Sequence, residues 1–107
     1  MTMKEYQHSA QRTINENLAA QEKMMHALHG MASEVGEIHG IYQKSYQGHE
    51  IDGTELQKEL GDLLWFIAEF CTAAEWDMGY IAYKNIEKLR KRYPEGFSAE
   101  RSINRDE

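Results

Sequence analysis

Two apolar rows at helical spacing run through the middle of the chain, and each is broken by a carboxylate. Met31, Ile38 and Ile41 share one face of a helix with Glu34, and Leu56, Leu63, Phe66 and Phe70 share another with Glu59. Positions three apart are neighbours on a helix, so Glu37 projects beside Glu34 and Asp62 beside Glu59. Two helices therefore each carry an inward acidic pair. If the two pack together, four like charges meet where apolar side chains belong, and uncompensated charge is costly there. A cation between them removes that cost. A site built only of carboxylate oxygens, with no Cys or His in either pair, favours Mg²⁺ or Mn²⁺ over zinc. The plainer reading, a solvated flank, suits one isolated ExxE better than two pairs each set in its own apolar row.

The rest of the sequence is helical throughout. It has a single proline and is rich in Ala, Leu, Met, Glu, Gln and Lys. A capping box, Thr2-Met3-Lys4-Glu5, starts a first helix over 3–13. The second helix spans 20–47, carrying Met24, Leu28, Met31, Val35, Ile38 and Tyr42 at helical spacing, and Gly48 stops it. A loop over 48–53 leads to a second capping box, Thr54-Glu55-Leu56-Gln57, and a third helix running to about residue 76. Asp77-Met78-Gly79 separates it from a fourth over 80–93, which Pro94 ends. The whole reads as one domain over 1–107, with 93–107 an irregular tail. The short loop makes the second and third helices antiparallel neighbours, so the predicted fold is an all-α antiparallel bundle of about four helices. The run Leu63-Leu64-Trp65-Phe66-Ile67-Ala68 is apolar on every side, which one thin layer of neighbours cannot cover. Oligomerisation should complete the bundle. Gly36, Gly40 and Gly61 lie inside helices beside the acidic pairs, which calls either for close helix approach or for room around a metal and its waters.

Charge and composition exclude several classes. A net charge of −6 and a pI near 5.3 are unlike the basic field of a nucleic-acid binder. No apolar run reaches the ~20 residues of a membrane span, and the N-terminal residues lack the apolar core of a signal peptide. Cys71, the single cysteine, permits no intrachain disulfide and reads as a small apolar filler, so the expected location is cytoplasmic.

Beyond the acidic pairs, Lys84, Lys88 and Arg92 follow one another at four-residue spacing with Asn85 alongside. Alone, such a row is a solvated face; beside a divalent cation, lysine and arginine are what hold a di- or triphosphate. Glu87 and Lys91 read as a surface pair. His26 and His29 read as partly exposed, because neither stands at the Glu-x-x-His spacing of di-iron bundles. Trp65, Phe66, Phe70 and Trp76 read as core aromatics, and Trp65, three residues beyond Asp62, is also placed to stack on a base.

Ser33-Glu34-Val35-Gly36-Glu37, Glu59-Leu60-Gly61-Asp62-Leu63-Leu64-Trp65, Asn85-Ile86-Glu87-Lys88-Leu89 and Arg92-Tyr93-Pro94-Glu95-Gly96-Phe97, with Tyr6-Gln7 and Arg12-Thr13 ahead of them, give the chain a wider likeness. It resembles the MazG-like nucleotide pyrophosphohydrolases of the all-α NTP pyrophosphatase superfamily. The resemblance implies a helical dimer or tetramer that cleaves a nucleoside triphosphate between the α and β phosphates with Mg²⁺, yielding monophosphate and pyrophosphate. It implies that Glu34, Glu37, Glu59 and Asp62 bind metal and activate water, and that Lys88, Asn85 and, more weakly, Arg92 contact phosphate and sugar. Lys84 joins them through the row, and Trp65 or Gln7 stands for the base pocket. Within that set Glu34 is taken as the base and Glu37, Glu59 and Asp62 as ligands. Two other readings stand beside this one: a non-catalytic helical interaction module, and a superfamily hydrolase for a specialised nucleotide such as dUTP or phosphoribosyl-ATP.

Overall fold

The structure, a computed structural model, describes residues 1–105; the last two residues of the expected domain lie outside them. Among the described residues it is all-helical. The helices are α1 (Met3–Ala10), α2 (Ala20–Ser45), α3 (Gly53–Ala73), α4 (Met78–Arg92) and α5 (Ala99–Ile103), with a 3-10 turn, Gln11–Thr13, after α1.

The helix starts follow their caps. Thr2 and Glu5 form the expected capping box at α1. At α3 the expectation needs correcting: Asp52, not Thr54, is the cap, its carboxylate accepting from the Thr54 N–H at 2.9 Å, and the helix begins at Gly53. Asp77 does the same for α4 through Gly79 N–H at 2.8 Å, so Met78 opens the helix instead of punctuating the chain. Gly48 follows α2 with φ +95°, a conformation that a side chain disfavours. The stretch read as an irregular tail holds the one-turn α5, because Ser98 accepts from the Arg101 N–H. Gly96, with φ +92°, turns the chain back toward the end of α4 to reach it.

α2 and α3 form the antiparallel hairpin that makes up most of the tertiary packing. Its register can be read from the residues that meet. A Cβ at Gly30 would collide with the Phe66 ring, and His26 reaches Glu69. Gly30 is therefore the glycine that the helix approach requires. The same Cβ at Gly36, Gly40 or Gly61 would meet nothing within 4 Å, so of the two reasons advanced for those three, close approach does not apply within this chain.

α1 crosses one end of the hairpin and ties α3 to α4. Ala10, Ala68, Cys71 and Met78 form a small buried core there, flanked by Tyr6, Leu64, Trp65 and Ile67. Cys71 is the buried filler expected of it, and burial pushes its thiol pKa up. Gln7 uses both ends of its amide at this junction: Nε2 donates to Thr72 Oγ1 at 3.2 Å and to the Trp76 carbonyl at 2.9 Å, and Oε1 accepts from Met78 N–H at 2.9 Å.

Elsewhere the apolar surface outruns the core. Leu28, Val35 and Tyr42, seven residues apart on α2, are exposed, as are Leu60 on α3 and Tyr80, Ile81, Tyr83 and Ile86 on α4. The radius of gyration is 17.1 Å, against about 13 Å for a compact chain of this length. α4 extends away from the hairpin, packing chiefly on α1.

Candidate metal centre

The rows predicted from sequence do face each other. Met31, Glu34, Ile38 and Ile41 are all half-buried on α2, and so are Leu56, Glu59, Leu63, Phe66 and Phe70 on α3. Packing the two rows brings the acids together, with one carboxylate oxygen from each of Glu34, Glu59 and Asp62 within 4.8 Å of the others. Glu37, on the exposed rim, reaches the same cluster through Glu59.

Among the described residues, no lysine, arginine or histidine pairs with any of these four acids. Glu34 Oε2 and Glu59 Oε2 are buried with no hydrogen-bond partner. An orphaned buried carboxylate oxygen is uncommon in a native fold. The mutual contact also shifts the acids' protonation. Glu59 is held above the usual carboxylate range first by its contact with Glu34, and Glu37 first by its contact with Glu59. A cluster that is oxygen-only, has no cation and leaves two oxygens unpartnered has the donor chemistry of a hard divalent metal site.

The other sequence candidates are placed differently. Lys84 is tied to Glu87 at 3.1 Å, and Glu87 also accepts from the Tyr83 hydroxyl at 3.1 Å. The close ion pair of Glu87 is thus with Lys84, one helical turn the other way from the expected Lys91, whose charge also helps hold the Glu87 pKa down. Lys88 and Asn85 are exposed on α4. Arg92 lies 5.8 Å from the ring of its neighbour Tyr93. Trp65 is committed to the fold: its indole N–H donates to Thr13 Oγ1 at 2.9 Å and to the Ala10 carbonyl at 3.2 Å, and its ring meets Phe66 edge-on. Because α4 packs on α1, the hairpin's acids and the α4 cations sit on separate parts of the chain.

One residue went unnoticed in the sequence. Glu69 is fully buried, with both carboxylate oxygens 2.9 Å from His26 Nδ1, while the His26 side chain is half exposed. A signal for this pair was present. In an antiparallel hairpin, facing residues have a constant sum of numbers; Glu37 with Glu59 and Glu34 with Asp62 both sum to 96. The same register sets His26 opposite residue 70, one place from Glu69.

The model of the MazG nucleotide pyrophosphohydrolase domain matches residues 20–97. The chain belongs to this family. The match takes in both acidic pairs, all of α2, α3 and α4, and the Tyr93–Phe97 turn, and leaves out α1 and α5. No curated protein and no solved structure matches the chain. Membership of the MazG family places the chain among the nucleotide pyrophosphohydrolase domains in general and agrees with the all-helical hairpin that carries the acids. No helix among the described residues is long and apolar enough to cross a membrane.

Proposed function

We propose that this MazG-family chain is a Mg²⁺-dependent nucleoside triphosphate pyrophosphohydrolase, cleaving NTP or dNTP to the monophosphate and pyrophosphate by water attack on the α-phosphorus. The observation that carries the reading is the Glu34, Glu59 and Asp62 cluster, with its unpartnered buried oxygens and no cation among the described residues. Glu37, Glu59 and Asp62 hold Mg²⁺, with Mn²⁺ able to replace it, and Glu34 stands in the same ring. When bound, the ion supplies charge neutralisation at the phosphate oxygens and polarises water. Glu34, with one oxygen buried and unpartnered beside Glu59, orients the attacking water and accepts its proton. Asn85, Lys88 and Arg92 contact the sugar and phosphates, with Lys84 freed from Glu87 to join them.

The separation of α4 from the acids within one chain, together with the exposed rows on α2 and α4, supports a homodimer or tetramer in which subunits complete one another's sites. The acidic balance and free buried Cys71 support a cytoplasmic protein acting on a small nucleotide, not on nucleic acid or membrane.

A nucleotide panel with Mg²⁺, scoring pyrophosphate and phosphate release separately, tests the reaction and ranks bases and sugars. Pyrophosphate release from at least one triphosphate is expected; a parent protein inert across the panel would return the chain to a helical interaction module. Light scattering at micromolar concentration should give a dimer or a dimer of dimers, and a monomer would remove the shared-site part of the proposal. Lys88→Ala should lower kcat/KM by about tenfold, the worth of one charge-assisted hydrogen bond, while the melting temperature holds. Unchanged kinetics would make the α4 row a solvated face.

A further inference from the structure

Charge is unevenly shared along the chain. The first 83 residues carry five Lys and Arg against thirteen Asp and Glu, whereas residues 84–105 carry seven against three. Much of that excess gathers at one place. The Gly96 turn folds α5 back to the end of α4, and Lys91, Arg92, Arg101, Asn104 and Arg105 line a small cavity there. No acidic side chain among the described residues comes within 4 Å of Lys91, Arg101 or Arg105, although Glu95 and Glu100 are close in sequence. The turn is fixed from both sides: Tyr93 stacks on Phe97 with centroids 5.5 Å apart, and Ser98 caps α5. The field reaches the neighbouring phenol. A hydrogen bond with Ser102, and then the charges of Arg92 and Arg105, hold Tyr93 below the usual tyrosine range.

We propose that the α4–α5 junction is an anion site for a phosphate group, held by Lys91, Arg101 and Arg105 and separate from the acidic cluster. Guanidinium forks match phosphate oxygens two at a time, and Asn104 adds an amide donor. The cavity volume, about 70 Å³, is roughly that of two waters. It takes one phosphoryl group and leaves the rest of a larger anion in solvent. Arg101, Asn104 and Arg105 lie beyond the residues matched to the family. The site stands whether or not the chain hydrolyses nucleotides; only the source of the phosphate, a triphosphate tail or free pyrophosphate, rests on the proposed reaction.

The test is calorimetric titration of the full chain with inorganic pyrophosphate in EDTA at fixed ionic strength. The parent and Glu59→Gln should both bind saturably, because the acidic cluster takes no part. Arg101→Ala with Arg105→Ala should weaken binding at least tenfold, and Arg90→Ala, which removes an α4 charge outside this cavity, should not. Both arginines are exposed, and unchanged helical circular dichroism would confirm that the double variant folds. The site is overturned if pyrophosphate does not saturate the parent, if the double variant binds as the parent does, or if Arg90→Ala weakens binding equally. Titration with a non-hydrolysable triphosphate and Mg²⁺ then assigns the source. Weaker binding in the double variant places the substrate's tail at the site, and unchanged binding leaves free pyrophosphate as its ligand. An inactive parent that still binds pyrophosphate would sink the hydrolase reading alone.

Discussion

Glu59→Gln should melt no lower than the parent in EDTA, yet lose about 100-fold or more in pyrophosphate release and gain little stability from Mg²⁺. The two halves of this result come from one geometry. Glu59 touches both Glu34 and Glu37 and shares the cluster with Asp62, and its contact with Glu34 is the first cause that holds its pKa up. Neutralising it relieves repulsion in the metal-free protein and removes a ligand from the metal-bound one. The pH dependence carries the sign of the same effect. A carboxyl whose pKa is raised by folding gives stability that is full below its unfolded pKa and is lost as pH rises through the folded one. Glu37 and Glu59 are both raised. In EDTA, then, the parent should lose stability relative to Glu59→Gln as pH climbs above the ordinary glutamate range, and saturating Mg²⁺ should reverse the order, because the ion binds the deprotonated acids. Melting curves across pH with EDTA and with Mg²⁺, beside a pyrophosphate assay, check all of it. Parental activity in the variant, or a parent melting temperature that Mg²⁺ never moves, would end the metal-site reading.

The acids were legible in the sequence because they break a pattern. A glutamate in an apolar row is visible to anyone who counts by three and four, and Glu34 and Glu59 both stood in such rows. Capping was legible in type and less so in place: Asp52 and Thr54 are both good caps two residues apart, and which one accepts the N–H depends on backbone angles that composition does not reveal. Trp65 and Gln7 show the opposite limit. Their chemistry fits a base pocket, but their partners Thr13, Thr72 and Met78 lie 52 to 71 residues away in sequence, and only the crossing of α1 over α3 brings them together. Where α4 goes was equally hidden. Its cations have helical spacing, but spacing within one helix says nothing about which helix that row will face.

The largest effect on folding should come from a residue outside the metal centre. His26→Ala should destabilise the chain by about 2–3 kcal/mol, because it strands a buried carboxylate. Glu69 is fully buried, and His26 Nδ1 is the polar atom that meets both of its oxygens. Half of the His26 side chain is open to water, which is why the figure lies below that for a pair sealed on both sides. The loss would appear as a fall of roughly 10 °C in melting temperature. Replacing Glu69 as well decides the cause. In His26→Ala with Glu69→Leu the charge is gone and an apolar side chain of similar volume fills the buried position, so most of the stability should return. If His26 acted only through its edge-on contact with the Phe66 ring, the second substitution would recover nothing. Either a parental melting temperature in His26→Ala or a double variant no better than the single would show that Glu69 does not depend on His26.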